Sequence, residues 1–166
     1  MLEIISAATQ HQFNQIAVLA DEIWREYYIP MVGKPQIDYM LEKFQSAEAI
    51  KKQVDTGFEY FIIMFDAIPV SYIAIKKEEK TLFLSKIYVL KSYRGKKIAK
   101  TALQFIEQKA KDYNLKTIRL TVNINNTDAI NTYENWGFAK TDTLKVAIGN
   151  GFFMDDFLMK KGLKVN

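Results

Sequence analysis

The chain has 166 residues, with 23 Lys plus Arg against 19 Asp plus Glu and a formal charge of +4. At 49% apolar, with 11 Phe, 9 Tyr and 2 Trp, it can fill a core, which excludes disorder as its main state. There is no cysteine, so disulfides, thiolate metal sites and a cysteine nucleophile are excluded; the single histidine, His11, rules out a histidine metal cluster and leaves one ring for any Ser-His-Asp triad.

The length suits one domain spanning residues 1–166. The uncharged residues 5–20 include Thr9, Gln10, His11, Gln12, Asn14 and Gln15, too polar for a membrane span. The N-terminus has Glu3 and no basic leader. The expectation is a cytoplasmic protein that needs no membrane.

Residues 2–5 read as a short strand. A helix follows, with Phe13, Ile16, Ala17, Ala20, Ile23, Trp24 and Tyr27 along one stripe. Pro30, Gly33 and Pro35 should break it. A second helical stretch covers about 37–44. A third begins after Ser46, a good N-cap, and stops before Gly57.

The period then changes. Phe58 to Phe65 is a nearly continuous apolar run, as in a strand covered on both faces. Residues 66–69 read as a turn, 70–75 and 82–89 as further strands, and together they predict an antiparallel meander. Residues 98–113 form an amphipathic helix striped by Ile98, Ala102, Phe105, Ile106, Ala110 and Tyr113, with Glu107 and Lys111 spaced to pair. Residues 117–122 alternate as a strand. Residues 126–136 are helical and end at Gly137. Two last strands, 138–148 and 152–160, join through Gly149-Asn150-Gly151. A crossover inside a mixed sheet of about seven strands flanked by helices predicts a three-layer α/β (α+β) domain.

From Lys80 to Ile106 there is no Asp or Glu, while Lys80, Lys86, Lys91, Arg94, Lys96, Lys97 and Lys100 fall in that stretch. Most crowd residues 91–100, just before a predicted helix. A helix start exposes free N–H groups and the positive end of its dipole, so these cations with Gly95 suit an anion. A solvated basic loop is the plainer alternative.

Residues 89–99, Val-Leu-Lys-Ser-Tyr-Arg-Gly-Lys-Lys-Ile-Ala, resemble the GCN5-related N-acetyltransferases. That family carries [QR]-x-x-G-x-[GA], here Arg94-Gly95-Lys96-Lys97-Ile98-Ala99, with Lys97 in place of the central glycine. A second family pattern, Val-x-x-x-Asn-x-x-Ala-x-x-x-Tyr-x-x-x-Gly-Phe, is matched by Val122, Asn126, Ala129, Tyr133, Gly137 and Phe138. The order of elements agrees over about the whole chain, so the resemblance implies the acyl-CoA N-acyltransferase fold.

The resemblance implies acetyl-CoA as donor and no metal. Backbone N–H groups of Arg94, Gly95, Lys96, Lys97, Ile98 and Ala99, with Lys100 beside them, would hold the pyrophosphate. If Lys97 has a negative φ its amide still serves; if φ is positive, lysine there costs about 1 kcal/mol and the loop must differ. Ile87, Tyr88 and Val89 would pair with the pantetheine amides, the Val89 N–H reaching the thioester oxygen. Asn126 would cap its helix or touch the pantetheine arm. Tyr133 would protonate the leaving thiolate; on periodicity alone it reads as a core aromatic.

The implied activity is transfer of an acetyl group to a primary amine of a small, polyamine-like molecule by direct attack. Ser85 stands where many members carry a glutamate base, so the base is unassigned. Asp155 and Asp156 sit in an apolar strand, one on each face, and either pairs with Arg119 or a lysine or faces the acceptor. Trp24, Tyr27 and Tyr28, with Glu26, would suit an amine through cation–π contacts. A homodimer is common in the family, and no nucleic-acid partner is expected at this charge. The competing reading is a non-catalytic module that binds acetyl-CoA, another anion or nucleic acid on the same fold.

Overall fold

The computed structural model describes residues 1–164. The element order is β1 (Leu2–Ser6), α1 (Gln10–Val32), α2 (Lys34–Gln45), α3 (Ala47–Asp55), β2 (Phe58–Phe65), β3 (Ile68–Lys77), β4 (Leu82–Val89), a 3-10 turn (Lys91–Tyr93), α4 (Ile98–Asp112), β5 (Thr117–Asn123), α5 (Thr127–Asn135), β6 (Ala139–Gly149) and β7 (Phe152–Gly162). The strands form a seven-stranded mixed sheet in the order β1-β2-β3-β4-β5-β7-β6, the mixed sheet of about seven strands expected from the sequence. The chain divides into two compact units: Met1–Lys76 with Ser85–Ile106, and Lys77–Leu84 with the residues from Glu107 onward.

In the first unit, β1, β2 and β3 run antiparallel to their neighbours, with Ile4 opposite Ile63 and Ile62 opposite Tyr72. The apolar run of β2 is covered in its middle, where Tyr60 to Ile63 are all buried. The β2–β3 connection is shorter than the predicted 66–69 turn. Asp66 and Ala67 alone make it, both with positive φ, as two-residue hairpins require. Pro69 belongs to β3, beside a register shift at Ile63/Met64, where a missing N–H breaks no regular ladder.

Of the expected breakers Pro30, Gly33 and Pro35, it is Gly33 that ends α1, and Pro30 lies inside the helix, which runs on to Val32. The proline lies in the last turn, so its missing N–H forfeits one bond near a terminus that is about to end anyway. Gly33, at φ +87, ends it, its N–H meeting the Ile29 carbonyl at 2.9 Å. Pro35 sits in the first turn of α2, where its N–H would be an orphan in any case. Thr9 and Gln12 form a reciprocal capping box at the start of α1, and Ser46 caps α3.

Beneath α1 to α3 the first unit buries a polar chain. Trp24 Nε1 donates to the Tyr72 hydroxyl (3.0 Å), which donates to Gln45 Oε1 (2.7 Å), and Gln45 Nε2 donates to the Tyr60 hydroxyl (3.0 Å). Each group is satisfied, which is what allows polar atoms at such depth. Burial pushes the Tyr60 phenol up to about 12 and that of Tyr72 well above its ordinary range, so both stay neutral.

In the second unit, β5 pairs with β7 along its length and β7 with β6 through the Gly149-Asn150-Gly151 turn, all three residues at positive φ. β4 joins β5 in parallel at Leu82↔Ile118 and Phe83↔Arg119. The predicted Glu107–Lys111 pair is replaced by a tertiary one. Glu107 Oε1 takes the Lys161 ammonium at 2.6 Å, both side chains being about three-quarters covered.

We expect Tyr72→Phe to destabilise the protein by about 1–3 kcal/mol, because it orphans Trp24 Nε1 and Gln45 Oε1 in the core. Urea denaturation against the parent checks this.

Candidate active site

In the first unit the residues of interest lie where β4 ends and α4 begins. The Leu90 N–H donates to the Val70 carbonyl at 2.9 Å. By strand alternation the amide before it, Val89, points the other way, away from β3. Two further bonds hold this stretch. Ser71 Oγ donates to the Tyr88 carbonyl at 2.6 Å, and Arg94 Nε donates to the Val89 carbonyl at 3.2 Å.

The loop that follows has two residues at positive φ, Gly95 (+80) and Lys97 (+63). The Lys97 question left open by the sequence is therefore answered on the costly side: a lysine occupies a left-handed position that suits glycine. Its carbonyl accepts the first α4 bond, from the Thr101 N–H at 3.1 Å. The amides of Ile98, Ala99 and Lys100 thus precede the helical ladder, and Lys97 has no side-chain acceptor to cap them. A Cβ at Gly95 would meet nothing within 4 Å, so the approach to the loop there is open.

The cations of the loop divide by task. Arg94 lies over the Tyr27 ring at 5.0 Å besides bonding Val89. Lys96 sits about equally close to Phe65 and Tyr93, at 6.0 and 5.9 Å. Lys91 makes an exposed ion pair with Glu26 at 3.5 Å. Lys97 and Lys100 are exposed, and among the described residues neither has an ion-pair partner. The loop can therefore present amide N–H groups and cations to an anion together.

The aromatics of α1 also differ. Trp24 is 3% exposed and its N–H is committed to Tyr72. That corrects its reading as an acceptor contact: the helical stripe aims it into the core. Tyr27 and Tyr28 are half-buried. Tyr28 shares a 3.0 Å hydroxyl bond with Tyr88, and both rings meet Trp24 edge-on. Ser85 is half-buried, and its hydroxyl accepts from the Lys86 ammonium at 2.9 Å.

In the second unit, Asn126 is buried and caps α5, its Oδ1 accepting from the Ala129 N–H at 3.3 Å. Tyr133, on the same helix, is half-buried and packs edge-to-face against Trp136 and Phe138, each at 5.9 Å. Asp155 is exposed and Asp156 buried, as alternation requires. Register puts Asp156 between Asn123 of β5 and Leu144 of β6. Arg119 pairs with neither aspartate. It holds Glu78 in a two-pronged bond of 2.6 and 2.7 Å, its guanidinium over Phe83. Glu78 was not singled out from the sequence because it sits 41 residues away, in the β3–β4 turn. Ser71 was also missed; its one signal is a lone hydroxymethyl inside the apolar run of β3. Among the described residues no three His, Asp or Glu side chains converge as metal ligands, and no helix is long and apolar enough to cross a membrane.

These elements define an acyltransferase scaffold, and the sequence comparison gives its family. The pattern of the Acetyltransferase (GNAT) family matches residues 16–138, and the chain belongs to that family. Solved structures agree on the fold. The PaiA N-acetyltransferase of Thermoplasma acidophilum, crystallised with coenzyme A, superposes with a TM-score of 0.81 at 22% identity, covering 98% of this chain and 99% of that one. A GCN5-related N-acetyltransferase of Rhodopseudomonas palustris gives 0.81 at 14% identity, with coverages of 97% and 95%. The ribosomal-protein-S18-alanine N-acetyltransferase of Escherichia coli gives 0.74 at 14% identity, with coverages of 100% and 96%. No protein of curated function matched in sequence.

We expect Lys97→Gly to stabilise the fold by about 1 kcal/mol, since glycine adopts the left-handed position without the Cβ penalty. Lys97→Ala keeps that penalty and should gain almost nothing. Urea midpoints of the two variants separate backbone strain from lost charge.

Proposed function

We propose that this GNAT acetyltransferase is an N-acetyltransferase that moves an acetyl group from acetyl-CoA to a primary amine of a small, polyamine-like molecule. The observation that carries the reading is the 94–100 loop: uncapped amides at the start of α4, positive-φ residues that expose them, and Lys97 and Lys100 beside them. The coenzyme A bound by the Thermoplasma protein supports a like ligand for this chain.

Acetyl-CoA supplies the acetyl group as a thioester. In this reading the amides of Ile98, Ala99 and Lys100 meet the pyrophosphate, and Lys97 and Lys100 add charge attraction. The Val89 N–H donates to the thioester oxygen, where negative charge develops as the amine nitrogen attacks. The carbon–sulfur bond breaks, and Tyr133 hands its phenolic proton to the departing thiolate. The amine must arrive neutral, since its ammonium form has no lone pair to give. Tyr27 and Tyr28 of the first unit are proposed as acceptor contacts, as, taken by themselves, are Asp155 and Asp156 of the second, and Ser85 in place of a carboxylate leaves proton removal to water.

The experiment is an amine panel with acetyl-CoA, read as coenzyme A release and product mass. We expect turnover on one or more small primary amines. Tyr133→Phe should lower kcat about 100-fold and leave the Kd for coenzyme A within twofold. Lys97→Gln with Lys100→Gln should raise the KM for acetyl-CoA severalfold, and the gap to the parent should shrink as salt is added. Binding of acetyl-CoA with no turnover on any amine would favour the non-catalytic module instead.

A further inference from the structure

Ser71 is fully buried, at 0% exposure, inside Val70-Ser71-Tyr72-Ile73-Ala74-Ile75, where its neighbours are packed apolar or aromatic side chains. A hydroxyl at such a place needs a partner, and it has one: Oγ donates to the Tyr88 carbonyl at 2.6 Å. That carbonyl and the Val89 N–H belong to a single peptide plane. The carbonyl points back toward β3, where Ser71 lies. The N–H points away from β3.

We propose that Ser71 is a positioning residue for acyl transfer, acting through the 88–89 peptide. Its hydroxyl fixes the tilt of that plane. By drawing electron density toward the carbonyl oxygen, it also makes the Val89 N–H a stronger donor, because linked hydrogen bonds polarise one another. The next peptide is held as well, since the Val89 carbonyl takes Arg94 Nε at 3.2 Å and the Leu90 N–H is tied to Val70. The donor is thus held by neighbours on both sides and does not depend on its own side chain. A donor fixed before substrate arrives needs no rearrangement when charge builds on the thioester oxygen, which is where such a contact lowers the barrier. Tyr72, the next residue, anchors the same strand from its other face through Trp24 and Gln45. The inference rests on the reading that the Val89 N–H meets the thioester.

The test compares Ser71→Ala and Ser71→Thr with the parent, at a temperature where thermal unfolding shows all three folded. Ser71→Ala should lower kcat about tenfold while the KM for acetyl-CoA and the Kd for coenzyme A stay within twofold. Ser71→Thr, which keeps the hydroxyl, should recover most of kcat. The carbonyl stretch of bound acetyl-CoA labelled with carbon-13 at the acetyl carbon should lie lower in the parent than in Ser71→Ala. An unchanged kcat and stretch in Ser71→Ala, or equal losses in the alanine and threonine variants, overturns the role of Ser71 and leaves the transferase reading standing. If the parent neither turns over nor shifts the stretch from its free value, that reading fails and the inference falls with it.

Discussion

In the proposed reading, the end of β4 and the start of α4, less than ten residues apart, both offer backbone N–H groups to a ligand. That constraint organises the middle of the chain. A buried amide without a partner is costly, so these donors have to remain reachable. Yet the backbone that carries them must not wander. The structure meets both demands by fixing carbonyls in place of amides. The Tyr88 carbonyl is held by Ser71, the Val89 carbonyl by Arg94, and the Lys97 carbonyl by both the N–H and the hydroxyl of Thr101. In the proposed reading these N–H groups are left for a ligand, and no acidic side chain falls from 81 to 105 to compete with an anion.

The left-handed lysine belongs to the same economy of charge. A glycine at 97 would relax the backbone and remove a cation. The chain instead accepts strain of about 1 kcal/mol next to the exposed helix start. Strained backbone tends to persist only where the surroundings overdetermine it. Here Gly95 two residues earlier absorbs the sharper turn, and the first bonds of α4 hold the carbonyl side of Lys97. The aromatic wall of α1 reaches the loop too, through Arg94 on Tyr27, so the loop is braced by packing as well as by hydrogen bonds.

Much of this was legible in the residues themselves. The nearly continuous apolar run gave β2 its limits, the 98–113 stripe gave α4 to within a residue, and glycines flanking Asn150 gave the last hairpin. Two family patterns in the right order then named the fold. What stayed hidden depended on tertiary geometry. Glu107 has an inviting partner one turn away in Lys111, but Lys161 offers a drier one. Arg119 was one of the partners open to an aspartate of β7, but Glu78 presents both oxygens to its fork. Trp24 shares a helical stripe with Tyr27, and only packing distinguishes a core ring from a half-exposed one. The φ of Lys97 is a property of the turn, which a sequence position alone does not specify.

The central claim is that the amides at the end of β4 and the start of α4 are the donors that receive the coenzyme. Backbone amide resonances of nitrogen-15-labelled protein, followed while coenzyme A is titrated in, test it most directly. The account predicts the largest shifts, saturating together, at Val89 and at residues 95–100, with slowed hydrogen exchange at the same amides. Saturating shifts confined to other parts of the chain, with these amides unmoved, would contradict it.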